Sequence, residues 1–110
     1  MHELSIAQAI LDTVEARSDG RRVDRVDVRI GYLRQVVPDA LTFAWEVLTQ
    51  DGPFAGSTLV VDHVPAVVRC RSCTAETTLT WPVMACASCE GHDVELLQGE
   101  ELQLASFEVV

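Results

Sequence analysis

The 110-residue chain contains no lysine, and its eight cationic side chains are all arginines. Against them stand 17 acidic residues, which gives a formal net charge of −9. The shortage of positive charge is uneven. Residues 1–69 hold ten acids and seven arginines, whereas residues 70–110 hold seven acids and a single arginine, Arg71. Binding nucleic acid requires clusters of Lys or Arg to meet the phosphates, so the composition argues against it. A basic protein surface or a metal cation suits the acidic second part better, although acidity also serves solubility on its own.

Other absences narrow the reading further. The first residues, Met1-His2-Glu3-Leu4-Ser5, lack the basic start and apolar core of a secretory signal. No apolar run approaches the roughly 20 residues that a membrane helix needs. A reducing compartment, most simply the cytoplasm, is therefore expected. Internal repeats, low-complexity stretches and flexible linkers are missing. So are a nucleophile–base pair, a phosphate-binding loop and a zincin motif, and no enzymatic activity is expected. Hydrophobic residues nevertheless make up 48 % of the chain. That is enough for one folded domain, or for a small domain with a metal-stapled lobe.

What the chain does have is a single pattern of cysteines. Cys70-Arg71-Ser72-Cys73 is followed, after twelve residues, by Cys86-Ala87-Ser88-Cys89, and no other cysteine occurs. Two such pairs facing each other supply the four sulfurs of a tetrahedral site, for which Zn²⁺ is the best-suited ion. Four thiolates close the metal's shell, so the site is structural rather than catalytic. Iron is the less common occupant of such a set. Redox use fits less well, because an exchanger needs one exposed, low-pKa pair rather than two matched ones. A disulfide scaffold would call for a secreted chain.

Around the cysteines, hydrophobic periodicity sets out an α+β order. Ala7, Ile10, Leu11 and Val14 predict a helix over 4–17, with Ile6 widening the stripe. Val26, Val28 and Ile30 alternate with Asp27 and Arg29 as a strand. Pro38 and Asp39 favour a second helix start, and Leu41, Ala44, Trp45 and Leu48 carry it to about Gln50. A strand is expected over 58–64, continued by Val67-Val68-Arg69 into the first cysteine pair. A short hairpin-like ribbon near 77–81, a strand over 94–97 and a closing strand over 102–110 complete the chain. The expected architecture is two helices packed on a small mixed three-stranded sheet. A four-cysteine zinc ribbon is inserted before the last strand returns to that sheet. The lobes are expected at 1–66 plus 100–110 and at 67–99. Apart from Leu79, Trp81, Val83 and Met84, the ribbon has few large apolar residues, so metal binding there is coupled to folding.

The three histidines differ in context. His63, within the strand over 58–64, reads as a surface or edge residue. His92 lies three residues after Cys89, within reach of a thiolate, although a plain surface position is the better account of it. His2 follows the α-amine of Met1. That amine, the next amide nitrogen and the His2 imidazole can chelate one metal in five- and six-membered rings, and the Glu3 amide can add another nitrogen. Such a set favours a planar ion, Ni²⁺ or Cu²⁺, over tetrahedral Zn²⁺. On chemistry alone, histidines at position two are more often bystanders at a fraying end.

Taken in order, Met1-His2-Glu3-Leu4-Ser5-Ile6, Val37-Pro38-Asp39-Ala40-Leu41, the two cysteine pairs and Gln98-Gly99-Glu100-Glu101-Leu102 resemble the HypA/HybF family. These are nickel metallochaperones of [NiFe]-hydrogenase maturation. The resemblance spans essentially the whole chain. It implies an α+β nickel lobe with an inserted zinc lobe, and Ni²⁺ held by His2 and nearby backbone nitrogens, with Met1 giving its amine and Glu3 adjoining. It also implies delivery with the maturation GTPase HypB to the hydrogenase large subunit, and in some members to urease. Asp39 could approach the nickel by the same analogy, but its simpler role is that of a first-turn helix acid. Some relatives carry histidines directly beside the cysteine pairs. Here Thr74 and Glu90 stand there, which speaks against a zinc site switched by pH. A reading of another class is a zinc-ribbon adaptor that binds protein or nucleic acid and transports no metal; it leaves the His2 context unused.

Overall fold

The first helix, α1, spans Glu3–Ser18 and buries Ala7, Ile10, Leu11 and Val14, the stripe expected from spacing alone. This computed structural model describes residues 2–110; the Met1 part of the expected nickel site lies outside the described residues. Strand β1 follows at Val23–Gly31, and its buried residues Val26, Val28 and Ile30 keep the predicted alternation. A short 3₁₀ turn at Tyr32–Arg34, where the sequence shows only a change of element, leads to α2 at Pro38–Leu48. Pro38 occupies the helix start, where its missing N–H is no loss. The two helices pack together, with Leu41, Ala44 and Trp45 buried. Trp45 donates its indole N–H to Ser57 Oγ at 3.0 Å and meets Phe54 edge-on at 6.2 Å between ring centroids.

Five more strands complete the chain. They are β2 (Thr58–Val64), β3 (Val67–Cys70), β4 (Glu76–Thr78), β5 (Val94–Gln98) and β6 (Leu102–Val109). They form two three-stranded sheets, ordered β2-β1-β6 and β4-β3-β5. The last strand thus returns to the first sheet, as an inserted ribbon requires. What reads in sequence as one strand through 58–69 is two strands in different sheets, broken at Pro65-Ala66, where proline cannot donate to a ladder.

By contacts the chain forms two units. One takes in the chain up to Arg29, Val36–Asp62 and Gln103–Val110. The other takes Ile30–Gln35 and His63–Leu102. In this second unit β3 pairs antiparallel with both β4 and β5, with a register shift at Val67/Val68 on the β5 side. Around the cysteines lies a small core cluster of Ala66, Val68, Cys70, Leu79, Cys86 and Val94, with Tyr32, Leu33, Ala75 and Leu96 half-buried against them. The backbone is closely stacked here. Gly99, at φ +126°, would place a Cβ 2.6 Å from the Cα of Ala66, and a Cβ on Gly31 would collide with the Gly99 carbonyl. No described helix is long and apolar enough to cross a membrane.

Candidate metal centre

Each cysteine pair is folded by the same two backbone hydrogen bonds and one N–H···S contact. In the first, Thr74 N–H donates to the Cys70 carbonyl at 3.0 Å and Cys70 N–H to the Ala75 carbonyl at 2.9 Å. In the second, Glu90 N–H donates to the Cys86 carbonyl at 2.9 Å and Cys86 N–H to the Gly91 carbonyl at 2.8 Å. The residue after each pair reverses the chain in the left-handed region, Thr74 at φ +65° and Glu90 at φ +63°. The turns aim the Cys73 amide at Cys70 Sγ, 3.4 Å away, and the Cys89 amide at Cys86 Sγ, 3.5 Å away. Gly91 suits its place, since a Cβ there would approach Cys89 Sγ to 3.2 Å.

The two turns bring the four sulfurs together, all within 4.8 Å of one another. Cys70 and Cys89 are 3.6 Å apart, and Cys73 and Cys86 are 3.5 Å apart. A tetrahedron with Zn–S bonds near 2.3 Å has edges of about 3.8 Å, so the cluster fits a four-thiolate zinc site. Cys70 and Cys86 are buried, and Cys73 and Cys89 are exposed. With four sulfurs around the centre no position is open for a reacting water, which matches a structural role.

The thiols are not equivalent before metal binds. The amide of Cys73 lowers Cys70, and the amide of Cys89 lowers Cys86 to about 6. Against a hydrogen bond from the Gly91 amide, the thiols of Cys70 and Cys86 push Cys89 up to about 11. Cys73 is also raised, with the Cys86 and Cys70 sulfurs outweighing the amide of Ala75. Each close cross-pair therefore joins a sulfur whose pKa is lowered to one whose pKa is raised. Zinc uptake near pH 7 is expected to release fewer than four protons, because the Cys86 thiol has already lost most of its own. Calorimetric titration in buffers of different ionisation enthalpy counts them. A release of four would show that the thiols are ordinary.

At the other end of the chain, His2 is exposed and sits at the N-cap of α1 with φ +62°, its side chain making no capping bond. The first rung of the helix is the bond from Ile6 N–H to the His2 carbonyl, at 3.0 Å. The Glu3 carboxylate accepts the Val37 amide at 3.2 Å, joining the beginnings of the two helices. That bond left no mark in the sequence. Asp39 is exposed in the first turn of α2. The structure thus gathers the four cysteines into one site, and no histidine or carboxylate joins that cluster among the described residues. His63 is exposed, and exposed His92 directs Nδ1 to the Met84 carbonyl at 3.4 Å rather than to a thiolate.

Comparison with known proteins covers nearly the whole chain. The family described as hydrogenase/urease nickel incorporation, metallochaperone, HypA matches residues 1–109. The hydrogenase maturation factor HypA of Desulfosudis oleivorans is 38 % identical over 99 % of this chain and 98 % of its own. That of Geotalea uraniireducens is 41 % identical over 99 % of both chains. The solution structure of the Ni metallochaperone HypA from Helicobacter pylori superposes with a TM-score of 0.66 over the whole chain, at 22 % identity, and shows the same fold. The chain belongs to the HypA family of nickel-incorporation metallochaperones of hydrogenase maturation, which carry metal and are not enzymes.

Proposed function

We propose that this chain carries Ni²⁺ at its amino terminus and holds Zn²⁺ through Cys70, Cys73, Cys86 and Cys89. The nickel cargo is bound by the His2 imidazole, the Met1 amine and backbone nitrogens, with Glu3 adjoining. The observation that carries this reading is the setting of His2. Its side chain is exposed and uncommitted to capping, and the ladder of α1 begins only at Ile6, so replacing the His2 amide proton by metal breaks no helical bond. Deprotonated amides with an imidazole and an amine form a strong nitrogen field that selects a planar ion such as Ni²⁺ over Zn²⁺. The bond from Val37 N–H to Glu3 supports the same end of α1.

In this reading the nickel-binding lobe is built mainly from residues 1–66 and 100–110 and the zinc-binding lobe from residues 67–99, with Ile30–Gln35 and residues 63–66 and 100–102 grouped by their contacts with the zinc-binding unit. Cargo held by few side chains at a chain end leaves by stepwise ligand exchange. The maturation GTPase HypB is the partner for that exchange and the [NiFe]-hydrogenase large subunit the destination, with urease as a second acceptor class. All of this takes place in the cytoplasm. An amino-terminal extension tests the site, because it converts the Met1 amine into an amide. Extended protein is expected to keep its zinc and lose nickel binding by equilibrium dialysis. Undiminished nickel binding in extended protein would remove the amine from the site.

A further inference from the structure

The zinc-binding unit exposes large apolar side chains in one short loop. Trp81 is 75 % exposed, Val83 55 % and Met84 36 %, with exposed Pro82 between them. The chain's other tryptophan, Trp45, is 1 % exposed. The loop is held rather than slack. Before it, Leu79 is buried, its N–H donates to the Ala66 carbonyl at 2.8 Å, and the Tyr32 hydroxyl donates to the Thr80 carbonyl at 2.9 Å. Within it, Val83 N–H donates to the Trp81 carbonyl at 2.7 Å. After it, the Met84 carbonyl meets His92, and Cys86 is buried in the sulfur cluster. A loop anchored at both ends and apolar at its tip is preorganised for insertion into a partner.

Charge decides what kind of partner. The same unit carries six acids and three arginines, and two of those arginines are already paired, Arg69 with Glu76 and Arg71 with Asp93, each at 3.0 Å. Four thiolates around one Zn²⁺ add two further negative charges. Such a surface is repelled by nucleic-acid phosphates and by anionic lipid headgroups. A basic protein surface attracts it. We propose that Trp81, Val83 and Met84 form a protein-docking tip that enters an apolar pocket rimmed by arginine or lysine on a partner in nickel delivery. This rests on the metallochaperone reading above and adds to it where the partner is held.

The test uses full-length, zinc-loaded protein with purified hydrogenase large-subunit precursor and, separately, purified maturation GTPase as probes. Wild type is expected to bind one of them, with Trp81 emission shifting to shorter wavelength and affinity falling as NaCl is raised. Trp81→Ala is expected to weaken that binding roughly thirtyfold or more, as truncating a central aromatic anchor does. Val83→Ser is expected to weaken it less. Both variants should keep the wild-type zinc content, thermal transition and nickel affinity, because the side chains they remove are exposed. Equal binding by wild type and Trp81→Ala overturns the tip while leaving nickel carriage standing, as does a wild type that binds neither probe. A docking affinity that rises with salt overturns the basic rim. Loss of nickel affinity in wild type itself would instead count against the metallochaperone reading.

Discussion

Removing zinc is expected to unfold β3, β4, β5 and the cysteine turns while α1, α2 and the sheet β2-β1-β6 stay folded. The ribbon around the cysteines has little else to hold it. In its core cluster the large aliphatic side chains are Val68, Leu79 and Val94, and two of the six residues are Cys70 and Cys86 themselves. Three such side chains contribute at most about 9 kcal/mol. Ordering the backbone costs about 1–2 kcal/mol per residue, which exceeds that sum within a few turns of chain. A structural zinc contributes about 10–16 kcal/mol of apparent binding energy, which is then folding energy. The metal therefore decides whether the ribbon is ordered. Intrinsic fluorescence reports this poorly, since Trp45 lies in the first unit and Trp81 is already exposed. Hydrogen exchange reports it directly. In chelated protein the amides of Val68, Cys70 and Val94 should exchange freely, while those of Leu11, Val28 and Trp45 stay protected. Protected ribbon amides without zinc would contradict the account.

Replacing His2 by alanine is expected to have the opposite pattern, with full structure and lost cargo. The imidazole caps no helix and is exposed, so its removal leaves α1 intact. Residues that merely support a metal's ligands cost about 10–100-fold in affinity when removed. A direct ligand at a site with so few side chains should cost more. The zinc turns use none of these atoms, and zinc content is expected to be unchanged. The two metals are thus separable by mutation, and the zinc-only adaptor reading is distinguished from nickel carriage by the same variant.

Much of this was legible from spacing because apolar periodicity and burial share one cause. The stripe of α1 and the alternation in β1 are buried as expected, and β2 begins and ends at Thr58 and Val64 as the β-branched run suggests. The cysteine cluster was legible because each pair carries its own turn. Less legible were features set by partners distant in sequence. Glu3 to Val37 is a bond between a side chain and a backbone group 34 residues away, and backbone groups leave no trace in composition. The 3₁₀ turn at Tyr32–Arg34 is too short to show a period, and it is secured by Leu33 N–H donating to the Gly99 carbonyl. Trp81, Val83 and Met84 were counted among the ribbon's apolar residues, yet only Leu79 of that group is buried. Hydrophobicity alone cannot separate a core residue from one displayed on an anchored loop.

The central claim is that the cargo sits at the amino terminus while the cysteines hold structure. It is tested most directly by calorimetric titration of Ni²⁺ into untagged, zinc-loaded wild type and His2→Ala. The account predicts one tight nickel site in wild type and none of comparable affinity in the variant, with equal zinc content and equal thermal transitions. An unchanged nickel isotherm in His2→Ala would contradict it.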